Sequence, residues 1–136
     1  MSQRLFVYGT LMNGMEANVI LASKGARYVG SGVIQGRLYD LGEYPAAVKS
    51  DDPNEVVVGE LYELPDLAAL RGLDAYEEFE PDQPDGSVFI REEVTVRMPE
   101  ERGREVRAWA YFYNPALQVR GARRISSGDY RAARIG

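Results

Sequence analysis

Residues 4–11 read RLFVYGTL, in which a short run of aliphatic and aromatic side chains stops abruptly at Gly9. Such a run predicts a β-strand, and the glycine predicts a tight turn directly after it. From residue 12 to residue 23 apolar side chains recur at helical spacing, and Gly25 follows as a stop signal. The first part of the chain is therefore predicted to be a strand, a turn and a helix.

Short β-type runs account for most of the remaining sequence. Residues 26–48 contain two or three of them, punctuated by glycines, and residues 55–64 (EVVVGELYEL) form another. Residues 88–98 and 105–113 alternate apolar and polar side chains with period two on either side of a polar turn. These last two runs predict a β-hairpin.

A second helix is predicted after Pro65-Asp66, because a proline and an acidic residue are typical of a helix start. Gly72 is expected to weaken this helix or to divide it. Its buried stripe is predicted to consist of Leu67, Leu70 and Leu73.

The order of these elements lacks the regular alternation of a doubly wound α/β fold. It favours the α+β class, with about six short strands closing into a small mixed β-barrel and helices packed outside it. The 136 residues are near the usual size of one domain, and the sequence shows no repeat or linker. We therefore predict a single domain over residues 1–136, of which residues 115–136 form an arginine-rich C-terminal tail.

Composition excludes several classes of function. The chain has no cysteine and no histidine, which rules out disulfides, thiolate nucleophiles, Ser-His-Asp triads and sites with His or Cys metal ligands. Its formal net charge of −5 argues against a nucleic-acid partner. Apolar runs are too short for a membrane span and the N-terminus does not resemble a secretion signal, so the expected location is cytoplasmic.

Two local patterns are candidates for a functional site. Tyr8-Gly9-Thr10-Leu11 ends the first strand, where free backbone N–H groups and the Thr10 hydroxyl could hold a carboxylate or phosphate oxygen. The acidic run at residues 74–78 offers a carboxylate beside an aromatic ring, which suits a general base in a chain without histidine. Spacing and composition alone favour plainer interpretations, an ordinary strand-ending turn and a solvated helix end.

Aromatic side chains are spread over the predicted strands and are interpreted mainly as core residues. Tyr44, which precedes Pro45, and Tyr111 are the candidates for lining a pocket, because the mouths of small barrels are often lined in this way. The whole group comprises Tyr39, Tyr44, Tyr62, Phe89, Trp109, Tyr111 and Tyr113.

Six segments carry a stronger signal together than any one of them alone. They are LFVYGTL (5–11), GRLYDLGEYPA (36–46), VVGELYEL (57–64), LDAYEE (73–78), FIREEVTVR (89–97) and AWAYFY (108–113). In this order and at these intervals they resemble the gamma-glutamylcyclotransferase-like family, most closely its small gamma-glutamylamine cyclotransferase-like branch. The resemblance covers roughly residues 4–113.

This resemblance implies a barrel with a cavity at its mouth and an enzyme that cyclises a γ-glutamyl amide or γ-glutamyl amino acid to 5-oxoproline, releasing an amine or amino acid. It implies that residues 8–11 bind the substrate and that Glu77 is the general acid/base, with no metal or organic cofactor. Two positions depart from a common family pattern. Glu78 stands where many relatives have glycine, and Phe89 stands where many have tyrosine.

The main alternative is a non-catalytic small-molecule-binding module on the same fold, which would keep the loop of residues 8–11 without needing Glu77. A structural interaction domain that uses the arginine-rich tail is a more distant one. For the enzyme, we expect the backbone N–H groups of the loop to point into a cavity. Because neighbours on a helix differ by about 100° in direction, we expect Glu77 to face that cavity and Tyr76 and Glu78 to face away.

Overall fold

The computed structural model describes residues 3–42, 44–77, 79, 87–115 and 122–135, which form eight strands and three helices. The strands are β1 (Gln3–Val7), β2 (Arg27–Gln35), β3 (Arg37–Asp40), β4 (Pro45–Val48), β5 (Val56–Leu64), β6 (Phe89–Met98), β7 (Arg104–Tyr113) and β8 (Arg123–Ile125). The helices are α1 (Asn18–Ser23), α2 (Leu67–Tyr76) and α3 (Tyr130–Ile135). Within these ranges, none of the helices has the length and apolar character needed to cross a membrane.

Five strands close into a barrel in the order β1-β5-β2-β6-β7. Four neighbouring pairs are antiparallel, and β1 closes the barrel by pairing in parallel with β7, where Leu5 lies opposite Trp109. The predicted α+β fold with a mixed barrel is thus confirmed, but the barrel has five strands rather than about six. The strands β4, β3 and β8 pair with one another in a separate sheet, which the chain enters at Gly36 between β2 and β3.

The hairpin of β6 and β7 follows the predicted boundaries to within one residue. Its register runs without a break from Phe89 opposite Tyr113 to Met98 opposite Arg104. A turn of 3₁₀ helix at Pro99–Glu101 joins the strands. Apolar and polar side chains alternate along residues 93–98 and 105–108, and this alternation fixes the register, because a slip by one residue would turn each of these side chains to the wrong face.

The first helix is shorter than predicted. Residues 9–17 form successive turns, and only α1 is helical. Two features prevent a continuous helix from residue 12: Gly14 has a left-handed φ of 84°, and the backbone N–H of Asn13 donates to the Glu60 carboxylate at 2.7 Å. The stop signal at Gly25 is confirmed, since its N–H closes the last turn of α1.

The second helix begins where predicted and runs through Gly72 without a break. Asp66 caps it by accepting a backbone N–H from the first turn at 2.9 Å. Leu70 and Leu73 are buried as predicted, whereas Leu67 is 42% exposed. The buried stripe is therefore made by the later turns of α2, which pack on the barrel.

Residues 123–135, which belong to the stretch predicted as an arginine-rich C-terminal tail, are part of the folded structure. Strand β8 pairs antiparallel with β3, and the side chains of Ile125 and Tyr130 are buried. Arg124 forms an ion pair with Glu55 at 2.6 Å. A strand of three residues and a helix of six are too short to give a periodic pattern, so the sequence did not predict them.

Gly128 joins this C-terminal segment to the barrel. Its φ is 73°, its carbonyl accepts the N–H of Val58 at 2.7 Å, and a Cβ at this position would lie 2.0 Å from the Val56 carbonyl oxygen. We expect Gly128→Ala to lower the free energy of unfolding by about 3 kcal/mol, because left-handed strain adds to a clash with backbone. Urea unfolding measures this loss.

Gly72→Ala is the matched control for that measurement. A Cβ at Gly72 would meet the end of the flexible Lys24 side chain, with Nζ at 2.7 Å. That end can move aside, so helix propensity predicts a gain of up to about 1 kcal/mol. Equal stabilities of the two variants would contradict the proposed tight fit of Gly128 against β5.

Candidate active site

A cavity of about 250 Å³ opens where the end of β1, the start of β4, the end of α2 and the hairpin of β6 and β7 meet. All of the site residues predicted from the sequence line this cavity, although Tyr8 and Tyr111 are 103 residues apart in the chain. The predicted residues are Tyr8, Gly9, Thr10, Leu11, Tyr44, Glu77 and Tyr111. The fold therefore brings together every residue of that set, while their roles in binding and catalysis remain predictions.

The Tyr8 hydroxyl is hydrogen-bonded to two backbone groups of the protein itself. It donates to the carbonyl oxygen of Tyr111 at 2.5 Å and accepts the backbone N–H of Ala47 at 3.2 Å. Burial raises the pKa of Tyr8, which keeps the hydroxyl protonated. Tyr8 thus ties the end of β1 to β7 and β4.

The backbone of residues 9–11 is available to a ligand. Within the described part of the chain, no protein group accepts a hydrogen bond from the N–H of Gly9, Thr10 or Leu11. The loop does not lead directly into a helix, because the six-residue α1 starts only at Asn18. Any anion held here would therefore be bound by individual N–H groups of a turn and not by a helix N-terminus.

Glu77 lies directly after the last residue of α2, where its backbone N–H bonds to the Leu73 carbonyl at 2.9 Å. Its side chain lines the cavity beside the loop of residues 8–11. Burial raises the pKa of Glu77 to about 7. A carboxyl group with this pKa exchanges protons readily near neutral pH, which suits general acid/base chemistry.

The cavity carries little charge of its own. Among its described lining residues, Glu77 is the only carboxylate, and none is a lysine or an arginine. Nor do the described residues contain a group of three or more acidic side chains that could hold a metal ion. Backbone N–H groups and hydroxyls must therefore supply the donors for any anionic ligand that binds there.

The expectation that Tyr76 faces away from the cavity is wrong. Tyr76 lines the cavity together with Glu77, with 43% of its surface exposed. The angular argument applies inside a helix, whereas α2 ends at Tyr76 and both residues border the cavity at the helix end. Glu78, which was expected to face outward, lies outside the described residues.

A buried ion pair behind the cavity was not predicted as part of the site. Asp74, only 3% exposed, accepts from Arg91 Nε at 2.7 Å and Nη2 at 3.1 Å, and its Oδ1 also accepts the Tyr111 hydroxyl at 2.7 Å. The Arg91 guanidinium lies over the Trp109 ring, 4.6 Å from its centroid. The available signal was that Asp74 directly follows buried Leu73, on the stripe of α2 that faces the barrel.

A second buried carboxylate, Glu60, binds the turns that follow the loop of residues 8–11. Glu60, 3% exposed, accepts the Asn13 N–H at 2.7 Å, the Tyr62 hydroxyl at 3.2 Å and Arg131 Nη1 at 3.2 Å. Arg131, in α3, also donates to the Asn13 carbonyl at 2.7 Å. The C-terminal helix is thereby linked to the turns that follow the loop, a link that no local sequence pattern could have indicated.

Aromatic rings form part of the cavity wall. Tyr44 packs against Phe89 with ring centroids 5.5 Å apart, and Phe89 in turn contacts Tyr113 at 6.0 Å. Tyr44 and Phe89 line the cavity. Because position 89 is phenylalanine here, this part of the wall offers an apolar face where many relatives would offer a hydroxyl.

The sequence matches a known family over almost its whole length. The profile described as "Gamma-glutamyl cyclotransferase, AIG2-like" matches residues 5–132. The chain belongs to this family. The resemblance found in the six sequence segments is confirmed by this match.

Individual relatives agree with membership of the AIG2-like gamma-glutamyl cyclotransferase family. A protein of Methanocaldococcus jannaschii, named provisionally as a gamma-glutamylcyclotransferase, is 28% identical over 127 residues, covering 93% of this chain and 94% of that protein. The crystal structure of a mouse AIG2-like protein is 28% identical, with a TM-score of 0.68 over 85% of this chain and 81% of that one. A protein specific to uropathogenic Escherichia coli, 23% identical, shares the fold with a TM-score of 0.75 over 98% of this chain and 96% of its own.

Gly9 is where the loop of this cyclotransferase family member approaches β4. A Cβ at Gly9 would lie 2.7 Å from Cγ of Pro45, whose rigid ring cannot turn aside. We expect Gly9→Val to push the loop out of place and to raise the KM for a γ-glutamyl substrate about tenfold or more. Steady-state kinetics measure this change, and an unchanged KM in a folded variant would count against the loop as a binding element.

Proposed function

We propose that this chain is a gamma-glutamylcyclotransferase-type enzyme that converts a γ-glutamyl amide or γ-glutamyl amino acid to 5-oxoproline and a free amine or amino acid. One observation carries the proposal: a half-buried Glu77, with its pKa raised to about 7, lines the same cavity as a loop with free backbone N–H groups. Family membership supports a reaction of this type.

The substrate supplies its own nucleophile. The α-nitrogen attacks the γ-carbonyl carbon, a C–N bond forms to close a five-membered lactam, and the original amide C–N bond breaks. Two protons leave the α-ammonium, and the departing nitrogen gains two, ending as an ammonium ion. Since ring closure is intramolecular, correct positioning supplies much of the rate enhancement, and no protein nucleophile is needed.

Glu77 is assigned the movement of these protons. As a carboxylate it accepts a proton from the α-ammonium, which makes the nitrogen nucleophilic, and as a carboxylic acid it returns a proton to the departing amine. The backbone N–H groups of residues 9–11 are assigned the α-carboxylate or the developing oxyanion of the carbonyl. No step in this scheme passes through a metal or an organic cofactor.

A panel of γ-glutamyl amines and γ-glutamyl dipeptides tests the proposal. The purified protein is incubated with each compound, and 5-oxoproline and the released amine are quantified together. We expect equal amounts of the two products from at least one member of the panel. Binding without release of 5-oxoproline from any member would favour the binding-module alternative.

The pH dependence of the reaction follows from Glu77. The free enzyme must hold Glu77 as a carboxylate to accept the proton, so kcat/KM should fall tenfold per pH unit below an apparent pKa of about 7. Above this pH the acidic limb should level off. A pH profile of initial rates checks this, and a limb centred near pH 4 would assign the proton transfer to a different, solvated carboxylate.

A further inference from the structure

Tyr111 lines the cavity, and the proton of its hydroxyl is donated to Asp74, a residue outside the cavity lining. Asp74 is held by two hydrogen bonds from Arg91, at 2.7 and 3.1 Å, and a carboxylate in such a pair only accepts hydrogen bonds. The 2.7 Å bond between Tyr111 and Asp74 must therefore be donated by the tyrosine. The Tyr111 oxygen can therefore only accept a hydrogen bond from a ligand in the cavity.

We propose that the Tyr111 oxygen is a fixed hydrogen-bond acceptor that binds an N–H of the substrate's α-ammonium. Asp74 and Arg91 are the positioning residues, because they keep the Tyr111 proton directed at Asp74. The inference rests on the proposed function, because it assigns a part of the γ-glutamyl group to a part of the cavity. It separates the recognition of the ammonium by Tyr111 from the removal of its proton by Glu77.

The surroundings of Tyr111 allow little freedom for any other arrangement. Its backbone carbonyl is tied to the Tyr8 hydroxyl at 2.5 Å, and its ring is 4% exposed. Arg91 cannot swing away easily, because its guanidinium contacts the rings of Trp109 and Phe79, at 4.6 and 5.7 Å from their centroids. Burial and the nearby carboxylates of Asp74 and Glu77 raise the pKa of Tyr111, which keeps the proton in place.

The polarity of the cavity matches an α-amino acid head group. The lining combines the backbone donors of residues 9–11, which suit a carboxylate, with the acceptors of Tyr111 and Glu77, which suit an ammonium. An ammonium has three N–H donors, so it can bond to both acceptors at once. A ligand that lacks the α-amino group should lose these bonds and nothing else.

The test compares glutamine with glutaramate, which is glutamine without its α-amino group. Calorimetric titration of each ligand requires no turnover. We expect the unmodified protein to bind glutamine more tightly, and Tyr111→Phe to reduce this preference about tenfold while leaving the affinity for glutaramate unchanged. Tyr113→Phe removes a hydroxyl from the same strand outside the cavity lining, and it should keep the full preference.

Asp74→Asn tests the positioning residues. An asparagine has an NH2 group in place of one of the two carboxylate oxygens, so it cannot accept from both Nε and Nη2 of Arg91 as the aspartate does. It also lacks the negative charge that holds the Tyr111 proton, so Tyr111 is no longer held as a fixed acceptor. The preference for glutamine should fall while the affinity for glutaramate stays the same. A merely structural role would weaken both ligands equally, and that result would overturn the assignment of Asp74.

The outcomes separate this inference from the proposed function. A preference for glutamine that survives Tyr111→Phe, or no preference in the unmodified protein, overturns the inference even when 5-oxoproline is formed. A preference for glutamine that is lost in Tyr111→Phe supports the inference. If that preference is lost but no panel substrate yields 5-oxoproline, the proposed reaction is rejected and the assignment of Tyr111 stands.

Discussion

Glu77→Gln should lower kcat/KM for a γ-glutamyl substrate by roughly a hundredfold or more, mainly through kcat. The amide keeps the size and the hydrogen-bonding reach of the carboxyl group but cannot accept or return a proton, and general acid/base catalysis contributes factors of about 10² to 10⁴. The acidic limb of the pH profile should disappear from whatever activity remains. Single-turnover rates of 5-oxoproline formation measure the chemical step directly.

A stability measurement separates such a result from loss of folding. Because burial raises the folded-state pKa of Glu77 from its ordinary 4.5 to about 7, ionising it costs stability increasingly as the pH rises across that interval. Glu77→Gln is free of this cost, so it should gain stability relative to the unmodified protein between pH 4.5 and pH 7. Chemical unfolding at several pH values checks this.

Glu78→Gln is the matched control for the activity measurement, since it makes the same change one residue along. It should retain most of the activity. An inactive Glu78 variant beside an active Glu77 variant would move the catalytic role to residue 78. Two fully active variants would remove carboxylate catalysis from this segment and favour a binding module.

Arg91→Met should cost about 3 kcal/mol or more of unfolding free energy. The Arg91 and Asp74 side chains are only 13% and 4% exposed, and removing one partner of a buried pair leaves the other charge uncompensated. Methionine keeps an unbranched aliphatic stem, so the lost stability reflects the removed charge more than lost packing. Urea unfolding at neutral pH gives the value.

The double variant Asp74→Leu/Arg91→Met shows whether the stability loss in Arg91→Met comes from the uncompensated Asp74 charge or from lost packing. Replacing both members of a buried ion pair by apolar side chains is often close to neutral. We therefore expect the double variant to recover most of the stability that Arg91→Met loses. A double variant as unstable as the single one would show that the fit of the two side chains, and not their charge, stabilises this part of the barrel.

Local patterns predicted the parts of the fold that depend on near neighbours in the chain. Alternation in β6 and β7 gave their hairpin to within a residue, and the abrupt end of the run before Gly9 gave the loop of the site. The identity of Glu77 as a candidate came from the family resemblance, because an acidic run at a helix end is ordinarily solvated.

Patterns could not show which distant residues meet. Asp74 and Glu60 would ordinarily be exposed, and their partners Arg91 and Arg131 lie 17 and 71 residues away. For the same reason β8 went unpredicted, since a strand of three residues is defined by its pairing with β3 and not by its own sequence. These contacts form only when the closed barrel brings the distant segments of the chain together.

The parallel pairing of β1 with β7 has a consequence for the order in which the protein folds. Contacts that complete the cavity join residues far apart in the chain, such as Tyr8 with Tyr111 and Asn13 with Arg131, at separations of 103 and 118 residues. Closing loops of this length must precede any gain from the contacts, so topologies rich in them fold slowly, whereas a hairpin such as β6 and β7 forms within microseconds. The cavity is therefore expected to be the last region to reach its native form, and ligand binding should return during refolding only after most of the sheet signal has recovered.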